Sequence, residues 1–390
     1  GARNLDDLES QPELLASVLN TLGQVAFNLG DRDRADAFFR RALALLETRP
    51  DQPERAASLM GVGEVLRLRF RFEDAERYLA DALEVRRATL DGNDPGIAES
   101  IAALAFAYYN QGRLDDAERL YREVLAFPGR TPPRLRAAVV EGLADVELRR
   151  GNLDASEALY REALAEYGRL LGPEHPRLAL TLWGIGHVME GRARAAVPDT
   201  QTVEAHLDGA EQAYRQALGL QLASYGAAHP LVASTRYGLG RLLTRRARLA
   251  EAEIELREAI RAFDAAGGGG HPSTGDAWAE LARLELTRGR DTAGEAAARG
   301  ALDVYVRNDT TEDGGRLRLA AARNLLGRAL LAQRRTAEAE APLRWALAAF
   351  EGRPDRAADF RETAAALAEL FTRLGQADSA RAYARRAGSA

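Results

Sequence analysis

The chain has 390 residues and a net charge of −5, and all 53 of its basic residues are arginine; it has no lysine and no cysteine. Those absences exclude disulfides, thiolate metal ligands and cysteine nucleophiles, together with a phosphate-loop lysine, a Schiff base and a kinase β3 lysine. With no basic block to displace counterions, nucleic acid is not an expected partner. With no apolar run near about 18 residues and no basic-then-apolar leader, neither a membrane span nor an export signal is read, and a cytoplasmic setting is expected.

Taken in order, residues 11–48 read as two helices. Pro12 suits a first helical turn, where its missing N–H was unpaired anyway, and Phe38, Phe39, Ala42 and Leu43 close the second helix. Residues 53–90 repeat the arrangement from Pro53, with Gly61 and Gly63 inside the first helix. Glycine there costs about 1 kcal/mol against alanine, so the expected return is close approach of two helices. Residues 95–127 give the clearest form. Ile97, Ile101, Leu104, Ala105 and Tyr108 recur at helical spacing, Gly112 stops the pattern, and Asp115 restarts it. Ala117, Leu120, Tyr121, Val124 and Leu125 then line one side of a second helix. Small residues (Ala105, Ala117) fall where the helices cross, and Tyr121 falls where a large side chain wedges. One such hairpin cannot bury its stripe alone, so neighbours of the same kind are expected.

The run Ile101, Leu104, Ala105, Tyr108, Gly112, Ala117, Tyr121 and Leu125 resembles a tetratricopeptide repeat. Its punctuation recurs through the chain. The second-helix small residues are Ala35, Ala75, Ala117, Ser156, Ala210, Ala252, Gly294, Ala339 and Ala380, at intervals of 40, 42, 39, 54, 42, 42, 45 and 41. Their first-helix counterparts are Gly23, Gly63, Ala105, Ala144, Gly186, Gly240, Ala282, Gly327 and Ala368. Pro12, Pro53, Pro95, Pro133, Pro176, Pro230 and Pro272 mark helix starts. The resemblance implies an all-α, right-handed superhelical solenoid of about nine hairpins with a period of about 42. As a single domain over 1–390, its repeats lie near 11–48, 53–90, 95–127, 133–171, 176–225, 230–266, 272–306, 316–351 and 357–388. Leu170 to Leu182 and Tyr225 to Thr235 are similar to the kinesin-light-chain-like subclass. Leu8 to Leu43 looks like the region that follows the catalytic domain in bacterial serine/threonine protein kinases carrying such repeats. Gly1 in place of methionine suggests a piece of a longer protein, with Gly1-Ala2 as a tag scar.

Further along, Asp115 with Glu118 and Asp154 with Glu157 are expected to cap their helices and favour the first-turn N–H groups. The fifth repeat carries an insertion at 194–203, read as a loop around Pro198. Gly267 to Gly270 read as a flexible joint, Asn308 to Gly315 as a polar break, and the arginine-rich tail after Tyr383 as frayed. In repeats seven and nine Ala298 and Ala384 replace the wedge.

No chemistry is expected of this chain: no catalytic residue, no metal ligand and no cofactor. The glycine pairs Gly61/Gly63, Gly184/Gly186 and Gly238/Gly240 do not complete GxGxxG and lie within helices, so packing is their expected role. His175, His229 and His271 each precede a proline where Asp94 stands in the third repeat, which points to turn capping. His206 opens a second helix as a surface residue, and His187 with Glu190 makes only a metal half-site.

In arrays of this resemblance the first helix of each hairpin lines a concave groove that holds a peptide or protein segment. The groove positions lie three residues before the small residue, one after it and four after it. They give Asn20, Gln24 and Phe27; Met60, Glu64 and Arg67; Ala102, Phe106 and Tyr109; Glu141, Asp145 and Leu148; and Trp183, His187 and Glu190. The series continues with Tyr237, Arg241 and Thr244; Ala279, Arg283 and Leu286; Asn324, Arg328 and Leu331; and Ala365, Glu369 and Thr372. The candidate peptide-binding residues are Asn20, Gln24, Phe106, Tyr109, Glu141, Trp183, His187, Tyr237, Arg241, Arg283 and Arg328. Aromatic and arginine side chains are common interface anchors, and regularly spaced guanidinium groups suit an acidic partner with apolar residues. The competing reading has these rings packed and these arginines paired to nearby Glu and Asp. A carboxylate clamp of the Hsp70/Hsp90-tail type needs two lysines and is disfavoured here. An interaction scaffold is the expected function; the alternative is a regulatory region of a larger bacterial signalling enzyme.

Overall fold

A computed structural model describes residues 11–69, 71–129, 131–196, 199–267, 272–307 and 313–388. Among them there is no strand, and the helices follow one another as hairpins, the solenoid fold the sequence implied. The chain divides into two compact units, residues 1–188 and 189–390. The first holds α1 (Pro12–Asn28) with α2 (Arg32–Leu45), α3 (Pro53–Leu68) with α4 (Phe72–Thr89), α5 (Pro95–Asn110) with α6 (Leu114–Leu125), and α7 (Pro133–Arg150) with α8 (Leu153–Leu171). The helix α9 (Leu178–Ala195) begins in the first unit and ends in the second. The second unit continues with α10 (Thr200–Tyr225), α11 (Pro230–Arg245), α12 (Leu249–Gly267), α13 (Pro272–Thr287), α14 (Asp291–Arg307), α15 (Asp313–Ala332) and α16 (Thr336–Phe350), then α17 (Ala357–Arg373) and α18 (Ala377–Gly388).

Six of the seven marker prolines are the first residue of a helix, where φ near −65° is already helical. Pro176 is the exception, since α9 starts two residues later at Leu178. Inside each hairpin the turn depends on backbone handedness. Gly112 (φ 79°) and Gly151 (φ 82°) end α5 and α7 in the left-handed region, and the N–H of Arg113 reaches back to the carbonyl of Tyr108 at 3.0 Å. The same turn position holds Ala247 (φ 56°) and Arg334 (φ 63°), which adopt it against side-chain sterics.

The core is built by wedges entering gaps. Phe39, Tyr121, Tyr160 and Tyr214, four residues after their small anchors, are all within 3% of complete burial. Each aromatic wedge is matched in the next hairpin by a glycine two residues before its small residue: Gly61, Gly142, Gly184 and Gly238. A Cβ on Gly142 would lie 2.5 Å from the Tyr121 ring, one on Gly61 would strike Phe39, and one on Gly184 would strike Tyr160. Where the wedge is Leu79, the matching residue is Ala103, so a branched aliphatic leaves room for a methyl that a ring does not. In the seventh repeat, where Ala298 lacks a wedge, Tyr305 packs against Gly275 instead.

Successive hairpins are also joined by charge. The residue after each of the first eight second-helix anchors is a carboxylate, and at six of them it is bonded by the end of the next first helix, whereas Glu340 pairs with Arg344 of its own helix and Leu374 stands at the facing register. Asp36 takes Arg69 (3.1 Å), Glu76 takes Gln111 (2.8 Å) and Arg113 (2.9 Å), and Glu118 takes Arg150 (2.5 Å). In the second unit Glu211 takes Arg246 (2.7 Å) and Arg248 (2.7 Å), Glu253 takes Arg288 and Arg290, and Glu295 takes Gln333 (2.9 Å) and Arg335 (2.7 Å). Burial pushes the Glu211, Glu253 and Glu295 carboxyls up, but bonds from Arg215 and Arg248, from Arg290 and Arg288, and from Gln333, Arg299 and Arg335 outweigh it and hold them below the usual range.

These bonds correct the capping expectation. The N-cap of α6 is Arg113 and that of α8 is Asn152, neither with a side-chain cap bond; Asp115 and Glu118 instead bond Arg150, and Glu157 pairs with Arg161. The histidine expectation holds at two sites. Nδ1 of His229 accepts the N–H of Leu231 (3.2 Å) and Nδ1 of His175 that of Arg177 (3.1 Å), while His271 lies outside the described residues. The 194–203 segment is not a plain loop: α9 runs to Ala195 and α10 starts at Thr200, capped by Asp199, so His206 lies inside a 26-residue helix. Gly267 ends α12, and Asp313 to Gly315 begin α15; Gly268 to Gly270 and Asn308 to Glu312 lie outside the described residues, as do Pro198 and Gly1-Ala2. The tail is helical through Gly388, with Arg386 bonded to Glu351 at 2.5 Å.

Candidate interaction surface

In the first unit, the groove positions of α5 and α7 come together as a layered group. Phe106 and Tyr109 stack with centroids 6.0 Å apart and planes 8° from parallel. The Arg67 guanidinium lies 4.7 Å from the centre of the Phe106 ring and the Arg149 guanidinium 3.9 Å from that of Tyr109. Arg67 is also held by Glu64 (2.8 Å), and Arg149 donates to the Tyr109 carbonyl (2.6 Å). Both rings are half-buried, so cations of the chain itself already occupy them. Burial, then the Asp145 charge, pushes the Tyr109 phenol up.

Asp145 accepts the Tyr160 hydroxyl. Burial raises its carboxyl to about 7, the Tyr160 bond opposing and nearby Glu141 adding to the rise. The Tyr160 and Tyr121 phenols are themselves pushed well up by burial and by the Asp145 charge. Glu141 is spent on Arg177 and on the Thr181 hydroxyl (2.7 Å), and Arg177 also donates to Tyr167 (2.8 Å). Trp183 and His187 pack at 4.0 Å with a 55° tilt, and the Trp183 indole N–H meets no acceptor among the described residues. Asn20 is engaged structurally: Nδ2 donates to the Glu54 carbonyl (2.9 Å) and Oδ1 accepts from Ser58 (2.8 Å). Gln24 is exposed and bonds Asn28 (3.0 Å).

In the second unit the three repeated arginines all meet carboxylates. Arg241 bonds Glu190 at 2.7 Å, Arg283 lies 3.5 Å from Glu280, and Arg328 pairs with Glu362. Glu190 is 1% exposed and also accepts from Tyr214 (2.7 Å) and Arg245 (3.2 Å); this charge outweighs burial and raises the Arg241 guanidinium. Tyr237 lies 5.9 Å from the Arg241 guanidinium, its phenol raised to about 12 chiefly by burial. Burial likewise pushes the Glu280 carboxyl up. Arg283 has the most exposed side chain of the three, at 45% against 28% for Arg241 and 31% for Arg328. Three groove positions read as open are not. Glu190, Asn324 (3%) and Leu331 (3%) are buried; Tyr214, Arg241 and Arg245 close over the first, and Asn324 donates to Glu362 of the next hairpin.

What sequence reasoning missed is the carboxylate bond between hairpins, although its signal, Arg or Gln six residues after most first-helix small residues, recurs at Arg69, Gln111, Arg150, Arg246, Arg288 and Gln333, with Leu29 and Leu374 as exceptions. Among the described residues, no group of three or more His, Asp or Glu side chains is placed to hold a metal ion, and no helix is long and apolar enough to cross a membrane.

Both units thus present one hairpin arrangement, and a tetratricopeptide-repeat family model matches residues 14–88, 54–127 and 135–197. These segments are tetratricopeptide repeats. No curated protein matches the sequence. Among solved structures, the chain is similar to a human IFIT1 dimer with PPP-AAAA (16% identity, 98% of this chain and 77% of that chain, TM-score 0.62). It is similar to a Rap protein complexed with competence and sporulation factor (15% identity, 96% and 97% of the two chains, TM-score 0.59). A Podosopora anserina putative kinesin light chain matches over 55% of this chain and 97% of its own at 18% identity, with a TM-score of 0.40. The first two share this tetratricopeptide fold at identities that speak for fold alone.

Proposed function

We propose that the chain is a non-catalytic interaction scaffold whose first-helix faces hold a protein or peptide segment that is acidic and carries apolar residues. The observation that carries this reading is Arg283, half exposed and only loosely paired at 3.5 Å, standing at the register where Arg241 and Arg328 recur. A guanidinium with spare donors can bond a partner carboxylate without first breaking a tight internal pair. In the first unit the Trp183 ring offers the apolar counterpart, whereas Phe106 and Tyr109 are already covered by arginines.

Fluorescence anisotropy with acidic, apolar-containing peptides tests the reading, each compared with its amide counterpart (Asp to Asn, Glu to Gln). Arg283→Ala and Trp183→Ala should each weaken binding about tenfold, or about 1.4 kcal/mol. Equal binding of neutral peptides, together with indifference to both substitutions, would overturn it. The alternative implied by the resemblance at Leu8 to Leu43, a regulatory region of a larger bacterial signalling enzyme such as a serine/threonine kinase, uses the same faces. The coding sequence upstream of Gly1 separates the two.

A further inference from the structure

Five carboxylates stand at groove positions, and four of them hold an arginine of the chain: Glu64 with Arg67, Glu141 with Arg177, Glu190 with Arg241 and Glu369 with Arg373. Asp145 is the fifth, and among the described residues it has no ion-pair partner. Its surroundings do not lack cations; they lack a free one. Arg149, one turn along α7, lies 3.9 Å from the Tyr109 ring centre and donates to the Tyr109 carbonyl at 2.6 Å. Arg177 is taken by Glu141 and by the Tyr167 hydroxyl at 2.8 Å. Asp145 is left with one bond, from the Tyr160 hydroxyl to Oδ1. Its Oδ2 has no hydrogen-bond partner among the described residues and is not sealed from solvent, since the side chain is only partly covered. A largely desolvated carboxylate without a counter-ion costs the fold free energy, and burial accordingly pushes this group up to about 7. A cation arriving from outside the chain would offset that cost.

We infer that Asp145 is a cation subsite of the first unit, its Oδ2 accepting from an Arg or Lys side chain of the bound segment. The inference rests on the scaffold reading and extends it: the segment carries a basic residue where it meets α7, besides the carboxylate that Arg283 takes. The groups facing Asp145 are Tyr109 from α5, Tyr121 from α6, Glu141 and Arg149 from α7, Tyr160 from α8 and Arg177 at the entrance to α9. His187 is the one titratable residue of α9 as far as Val188. The three phenols, all pushed up, stay neutral and leave the carboxylate as the charge a cation meets. An anion would instead meet Asp145 and Glu141, with both nearby arginines already engaged. With Oδ1 holding the Tyr160 hydroxyl, the contact is made at a single point, which a Lys ammonium satisfies as well as an Arg fork.

Random peptides displayed on phage and selected on the full chain near pH 8 test this, with the isosteric Asp145→Asn chain selected in parallel. The amide oxygen still accepts from Tyr160, and a circular-dichroism melt no lower than that of the wild type shows that the fold survives. The expected result is an Arg or Lys at one fixed position of the peptides the wild-type chain enriches, absent from those the variant enriches. In fluorescence anisotropy, replacing that residue by Gln should weaken binding about tenfold on the wild-type chain and less than about twofold on Asp145→Asn. The difference should fade toward about pH 5.5, where Asp145 takes up a proton, a dependence that an aspartate serving only Tyr160 would not give. Enriched peptides with no fixed basic residue, or a basic residue whose loss weakens both chains equally, would overturn the inference and leave the scaffold reading standing. Enrichment of no peptide at all would overturn both.

Discussion

Replacing Gly142 by alanine isolates the ring-against-glycine packing from helix propensity. The added Cβ would lie 2.5 Å from Cζ, 2.7 Å from the hydroxyl oxygen and 2.9 Å from Cε1 of Tyr121, a side chain only 3% exposed and unable to swing aside. Carbon pairs settle at about 3.5–4.0 Å, so the methyl is roughly 1 Å too close. Overpacking of this kind costs about 1–3 kcal/mol, the upper part of which applies where the neighbour is trapped. Alanine returns about 1 kcal/mol of helix propensity, leaving a net loss of about 1–2 kcal/mol. Gly219 in α10 is the control: its Cβ would meet nothing within 4 Å, so Gly219→Ala should gain about 0.5–1 kcal/mol. Urea titration followed by circular dichroism reads both variants on the full chain. Tyr121→Leu combined with Gly142→Ala should recover much of the loss, because Leu79 already faces Ala103 in that arrangement. If Gly142→Ala raised the midpoint as Gly219→Ala does, the wedge account of this core would be wrong.

Ala247→Gly should stabilise the second unit by up to about 1 kcal/mol in thermal melts, since alanine there holds φ at 56° while glycine adopts it freely. Glu295→Ala removes the acceptor of Gln333 and Arg335 and should cost about 0.5–1.5 kcal/mol by the same titration, since water can reach the freed guanidinium. The wild-type carboxyls at Glu211, Glu253 and Glu295 are held below 4.5, so their contribution is present at neutral pH and lost as pH falls through their lowered values; acid titration of the melting temperature checks it. Asp145 has the opposite sign. Raised from 3.8 to about 7, its contribution is full below 3.8 and lost as pH rises through about 7. Asp145→Asn should therefore raise the melting temperature at pH 8 and leave it nearly unchanged near pH 3.

The hairpins were legible because their marks are local: a proline at a helix start, a glycine in the turn, a small residue at the crossing. Each depends on neighbours within a few residues, so spacing alone reveals it. Asp115 and Glu118 were misread for the opposite reason. Both were assigned to their own helix start, whereas their partner, Arg150, lies about one repeat further along. Groove exposure was the least legible. Glu190 sits at a groove register yet is 1% exposed, because Tyr214 on the unusually long α10 and arginines on α11 converge on it. Of the aromatic candidates Phe106 and Tyr109 stack on each other, and nothing in the spacing disclosed that Arg67 and Arg149 would cover them.

At six junctions the carboxylate that one hairpin offers is completed by the hairpin that follows. Duplicating or deleting one whole period among them therefore leaves each of these junctions with an acid on one side and its Arg or Gln on the other. An insertion of partial length inside a first helix would put them out of step. Evolution can thus lengthen or shorten such an array in whole-repeat increments with little electrostatic penalty, and the 54-residue interval of the fifth repeat places its extra residues at the end of α9 and the start of α10, before the acid at Glu211 and its partners at Arg246 and Arg248.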